Sequence, residues 1–76
     1  MVFDDVKEIL AEQLDLNLDD IELNSNLTDD LGADSLDAID IVMSVEDQYS
    51  IEVPDETIEA MKTVEDIVNF IETHIE

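Results

Sequence analysis

The chain has 76 residues, 23 of them aspartate or glutamate against two lysines, and its formal net charge is −21 at pH 7. Nucleic acid and anionic lipid surfaces repel a protein this acidic, so its partners are expected to be proteins that present lysine and arginine. The absence of cysteine excludes a disulfide framework, a thiolate zinc site and a cysteine nucleophile, and the length predicts one domain over residues 1–76.

The first predicted helix covers the N-terminal segment, where apolar residues recur at helical spacing: Val2, Val6, Ile9 and Leu10, joined by Phe3 and Leu14. Residues 15–34 follow neither a helical nor a strand period, so we expect a long loop with single turns near Asp19-Asp20 and Asp29-Asp30. A regular supply of apolar residues favours a loop that is pinned to the core: Leu16, Leu18, Ile21, Leu23, Leu27 and Leu31.

The second helix is predicted from Ser35 to about Tyr49, with Asp34 and Asp37 spaced as a capping box. One apolar stripe has the spacing of a core-facing helix: Ala38, Ile41, Val42, Val45 and Tyr49. A second stripe consists of Leu36, Ile39 and Met43, and we expect it to stay partly exposed because so small a domain can hardly bury both. Its acidic border of Asp37, Asp40 and Asp47 is typical of a protein-docking surface.

Two further helices are predicted in the last third of the chain. Pro54 prevents the second helix from continuing, and residues 55–61 form a helix of about two turns, which is marginal alone. The last helix begins with a second capping-box pattern at Thr63 and Asp66, and its core positions are Val64, Ile67, Val68, Ile71 and Ile75. The expected fold is all-α: an antiparallel bundle of three long helices plus one short helix, with a long loop between the first two helices.

Ser35 is the candidate functional residue, because it lies where the second helix begins. A catalytic serine needs a general base and an oxyanion site, but the one histidine is His74 and no G-x-S-x-G turn surrounds Ser35. The neighbouring aspartates lack the spacing of a calcium loop, so no metal site is expected. Two roles remain: a simple helix cap, or the acceptor of a phosphodiester made by another enzyme, since helix N-termini favour phosphate.

Residues 30–37, Asp-Leu-Gly-Ala-Asp-Ser-Leu-Asp, resemble the attachment motif of acyl carrier proteins, and residues 40–43 and 51–56 resemble the continuation of that family's sequence. The resemblance implies that Ser35 carries 4′-phosphopantetheine, transferred from coenzyme A, and holds growing acyl chains as thioesters for the enzymes of fatty acid biosynthesis. A carrier for polyketide or peptide synthesis is the closest alternative. An acidic module that mimics nucleic acid is a distant one, since it leaves the motif unexplained.

The resemblance also implies two sets of binding residues and a set of partners. The partner-binding positions are Asp34, Leu36, Asp37, Ile39, Asp40, Met43, Glu46 and Asp47. The acyl chain is expected to lie inside the bundle, lined by Leu27, Ala38, Val42, Val45, Ile58, Met61 and Ile67. We expect partners with basic patches, namely fatty acid synthesis enzymes, acyltransferases and a phosphopantetheinyl transferase, and a cytoplasmic monomer that binds no nucleic acid and inserts into no membrane.

Overall fold

A computed structural model describes residues 2–75 as four α-helices: α1 Val2–Leu14, α2 Ser35–Tyr49, α3 Asp55–Ala60 and α4 Val64–His74. A 3₁₀ turn, Leu18–Asp20, lies in the long loop between α1 and α2. Within residues 2–75 the only β-type pairing is an isolated bridge between Asn26 and Thr63. These bounds confirm the all-α prediction of three long helices, one short helix and a long first loop, with α3 ending one residue earlier than predicted.

The core lies where α1 packs against α2 and α4. Most of the side chains that are almost completely buried come from these three helices, among them Val6, Leu10, Ile41, Val45, Val64, Ile67 and Ile71. Each such side chain contributes roughly 1.5–3 kcal/mol through the removal of apolar surface from water. Helical periodicity in the sequence therefore identified the packed faces of all three long helices.

The loop of residues 15–34 is held to the α3–α4 junction by its backbone as well as by apolar side chains. The N–H of Leu27 donates to the Lys62 carbonyl at 2.9 Å, and the carbonyl of Ser25 accepts from Val64 N–H at 3.1 Å. Ile21, Leu27 and Leu31 are buried, as the pinned loop requires.

Three apolar side chains that were expected to pack against the core are exposed instead. Leu18 is 44% exposed and Leu23 is 38% exposed. The backbone carbonyl of Leu23, rather than its side chain, makes the attachment there, because it accepts from Glu65 N–H at 2.9 Å. Ile75 is 43% exposed at the C-cap of α4, although its N–H still donates to the Ile71 carbonyl at 3.0 Å.

The entry into α4 is closed by the predicted capping box. Thr63 Oγ1 accepts from Asp66 N–H at 3.3 Å, and Asp66 Oδ2 accepts from Thr63 N–H at 3.1 Å. The same carboxylate oxygen also accepts from Lys62 N–H at 2.9 Å. The hydrogen bond from Lys62 N–H, followed by those from Thr63, lowers the pKa of Asp66 below its ordinary value of 3.8 despite partial burial.

The Asp66 cap makes a pH-dependent contribution to stability. Asp66→Ala is expected to lower the free energy of unfolding by about 1 kcal/mol at pH 7 relative to the control Glu65→Ala, which removes an exposed charge from the same turn. Because the folded pKa of Asp66 lies below its unfolded value, the difference is fully present above the unfolded pKa and is lost as pH falls through the folded pKa. Urea unfolding of both variants across this range measures it, and a difference that persisted unchanged at the acid end would contradict the assignment.

Candidate functional site

The chain is guided into α2 by a compact turn over residues 26–30. The Asn26 side-chain oxygen accepts from the N–H groups of Thr28 and Asp29 at 3.0 and 2.9 Å. Asp30 Oδ2 accepts from Asn26 N–H at 2.7 Å. Gly32 then adopts a φ of +75°, in the left-handed region that other residues enter only with strain. The turn and this glycine together fix where the first residue of α2 lies.

Ser35 is the first residue of α2, and its side chain is exposed. The predicted capping box is present, since Asp34 Oδ1 accepts from Asp37 N–H at 2.9 Å and Asp37 Oδ2 accepts from Asp34 N–H at 3.2 Å. Among residues 2–75 nothing hydrogen-bonds to the Ser35 hydroxyl or to the N–H groups of Ser35 and Leu36. An accessible hydroxyl beside two free N–H groups and the positive end of a helix dipole is a suitable place for a phosphodiester.

A cavity of about 470 Å³ opens beside Ser35, between the long loop, the start of α2 and α3. We call its apolar lining the cavity wall, which comprises Leu27, Ala33, Ala38, Ile39, Ile58 and Met61. Its exposed polar lining is the cavity mouth, which comprises Thr28, Asp34, Ser35, Asp55 and Glu59. The serine hydroxyl thus lies at the entrance of an apolar space.

The structure brings together four of the seven residues predicted to line an acyl site, namely Leu27, Ala38, Ile58 and Met61. It does not bring Val42, Val45 and Ile67 to the cavity, and these three side chains are instead buried in the packed interior. The wall residues that the sequence reasoning missed are Ala33 and Ile39. The helical spacing places Ile39 on the outward stripe alone, whereas in the structure it lies at the edge that α2 shares with α3.

The second stripe of α2 is exposed, as predicted: Leu36 by 72%, Ile39 by 43% and Met43 by 56%. Asp40 and Asp47 are exposed as well, and Asp40 Oδ2 accepts a 3.3 Å hydrogen bond from the Gln13 side chain of α1. We call these five residues the outer face of α2. It combines apolar side chains with carboxylates, which suits contact with a basic protein surface. Its use for docking stays a prediction.

Glu46 makes a contact that the sequence did not reveal. Its half-buried carboxylate accepts from Val53 N–H at 2.8 Å and so holds the connection between α2 and α3. Ser50 ends α2 in the left-handed conformation, with its N–H on the Glu46 carbonyl. Glu46 therefore shapes the chain that leads to the cavity, in addition to any contact with a partner.

Residues 4–71 match the family described as "Phosphopantetheine attachment site". The "Acyl carrier protein" of Wolinella succinogenes is 47% identical over 73 residues, 96% of each chain. That of Clostridium acetobutylicum is 46% identical over 76 residues, 100% of this chain and 99% of the relative.

The chain belongs to the acyl carrier protein family. The description of the matched family names phosphopantetheine as the group that its members carry. Of the helices in residues 2–75, none is long and apolar enough to span a membrane. The same residues contain no group of three or more histidine, cysteine, aspartate or glutamate side chains arranged to hold a metal ion.

The contact between Glu46 and Val53 can be separated from the general effect of charge. Glu46→Ala leaves the N–H of Val53, a buried residue, without its acceptor, so the free energy of unfolding is expected to fall by roughly 1–2 kcal/mol. The control Asp47→Ala removes an exposed carboxylate from the same helix and is expected to cause no such loss. Urea unfolding together with amide exchange at Val53 tests this, and equal stability of the two variants would argue against the contact.

Proposed function

We propose that Ser35 is the attachment residue for 4′-phosphopantetheine, and that the protein carries growing acyl chains to the enzymes of fatty acid biosynthesis. The observation that carries this proposal is the Ser35 hydroxyl, which is exposed at the first position of α2 and opens onto an apolar cavity. Its support beyond the geometry is membership of a family described as a phosphopantetheine attachment site.

The residues around Ser35 fit the group chemically. The free N–H groups of Ser35 and Leu36 can donate to the oxygens of a phosphodiester. The Asp34 and Asp37 carboxylates accept hydrogen bonds from each other's backbone N–H groups, which holds both side chains in place beside Ser35. The prosthetic group supplies the thiol that a chain without cysteine lacks. The protein is therefore a carrier, and the transferases and synthases that it visits perform the reactions.

The cavity beside Ser35 is proposed to shelter the acyl chain. Each methylene that leaves water for an apolar wall gains about 0.8 kcal/mol. Met61 is a flexible side chain that adapts to irregular occupants, and α3 has six residues, too few for a helix that is stable without its packing. A wall built this way can admit a chain and release it to a partner.

The outer face of α2 is proposed to dock the partner enzymes. Leu36, Ile39 and Met43 offer apolar anchors, and the surrounding carboxylates attract lysine- and arginine-rich surfaces of synthases, acyltransferases and the phosphopantetheinyl transferase. A net charge of −21 disfavours self-association, which supports a monomer. A cytoplasmic location is part of the same proposal.

Attachment is tested by intact mass. Incubation of the apo protein with coenzyme A and a phosphopantetheinyl transferase is expected to add the mass of one arm. Ser35→Ala abolishes the addition, because no hydroxyl remains to form the ester. Ser44→Ala, in the middle of α2, is the control and accepts the arm like the unmodified chain. A modified Ser35→Ala protein would refute the assignment.

Docking is tested by charge reversal with a matched control. Asp40→Lys combined with Asp47→Lys is expected to slow modification by about tenfold at low salt, because association loses its electrostatic attraction. Glu8→Lys with Glu12→Lys makes the same change of net charge at exposed positions of α1 and is expected to have a smaller effect. Rates at low and high salt measure this, since salt screens the attraction. Equal slowing by both pairs would show that only net charge matters.

A further inference from the structure

The cavity is apolar inside and acidic at its entrance. Asp34, Asp55 and Glu59 all contribute exposed carboxylates to the cavity mouth. None of the described residues that line the cavity is lysine, arginine or histidine, and neither of the chain's two lysines, Lys7 and Lys62, is among them. The one neutral side-chain donor that remains at the mouth once Ser35 is esterified is the Thr28 hydroxyl.

This distribution of charge has different consequences for an acyl chain that ends in an alkyl group and for one that ends in a carboxylate. An alkyl end that enters meets only the cavity wall, and each buried methylene favours the inside by about fourfold. A carboxylate end must lose its water, finds no cation among the lining residues, and passes three groups of its own sign. The loss of hydration is the larger of these effects, because the mouth carboxylates are exposed and partly screened by salt.

We propose that the cavity selects acyl chains by charge, holding uncharged chains and excluding chains that end in a carboxylate. The proposal rests on the proposed function, since the chain must hang from Ser35 to reach the cavity. An alkyl chain is then sheltered between enzymes. A carboxylate-ended chain stays in solvent, where a partner enzyme can take it without first drawing it out of the protein.

The test compares three chains of equal carbon backbone, delivered from coenzyme A by a phosphopantetheinyl transferase: octanoyl, the monothioester of octanedioic acid, and the methyl ester of that monothioester. Intact mass first establishes that each is attached, and failure at this step concerns the proposed function alone. NMR contacts between the chain and the methyl groups of Leu27, Ala38 and Ile58 then report the fraction inside.

The octanoyl chain and the methyl ester are expected to show these contacts. The carboxylate chain is expected to have an inside-to-outside ratio at least about tenfold lower than octanoyl. Full contacts from the carboxylate chain would overturn the proposal while leaving Ser35 as the attachment residue. Loss of contacts from the methyl ester as well would also overturn it, because bulk rather than charge would then explain the exclusion.

A pair of variants on α3 tests the mouth directly. Glu59→Lys places a cation at the mouth and is expected to raise the inside fraction of the carboxylate chain. Glu56→Lys makes the same charge change on the same short helix at an exposed residue that does not line the cavity, and is expected to leave the fraction low. Glu59→Gln removes the negative charge without adding a positive one, and it is expected to give an inside fraction of the carboxylate chain between those of the two lysine variants. Equal behaviour of all three would overturn the role of the mouth.

Discussion

The position at which α2 begins is the constraint on which the rest of the structure depends. The capping box between Asp34 and Asp37 ends the loop and starts the helix within a single residue. A start one residue earlier or later would rotate every side chain of α2 by about 100°, since the helix has 3.6 residues per turn. That rotation would turn Ser35 away from the cavity mouth and the outer face of α2 away from solvent. A local cap thus sets the orientation of the candidate site and of the outer face of α2 together.

Part of the large negative charge is used to hold the fold together. Several carboxylates accept hydrogen bonds from backbone N–H groups that helix ends and turns leave unpaired, which offsets some of the repulsion within so acidic a chain. Asp5 serves a different group, because the Tyr49 hydroxyl donates to it across the contact between α1 and α2. Burial, with that hydrogen bond and the nearby charge, raises the pKa of Tyr49 to about 12. The carboxylates that accept from backbone groups are Asp30, Asp34, Asp37, Glu46 and Asp66.

One side of the molecule is tightly packed and the side around α3 is loosely packed, and the proposed function uses this difference. Between α1, α2 and α4 the side chains are closely packed and almost completely buried, so this side resists deformation. The wall against α3 is built from half-buried Ile58 and Met61 on and beside a helix of six residues. The connection to that helix is held by Glu46 through the N–H of Val53. A carrier needs both properties, because it must keep one recognisable surface while its cargo enters and leaves.

The sequence by itself predicted the helices and the candidate serine at the start of α2. Capping patterns and helical spacing are local, so they identified both capping boxes, the bounds of α2 and the exposed stripe of Leu36, Ile39 and Met43. Only the tertiary structure decided which neighbour covers each face. It buried Val42, Val45 and Ile67 in the interior rather than in the cavity, left Leu18 and Leu23 exposed, and paired Glu46 with Val53. The reason is that periodicity fixes which residues share a face, whereas contacts between distant segments, above all those of a loop with no period, depend on how the helices pack.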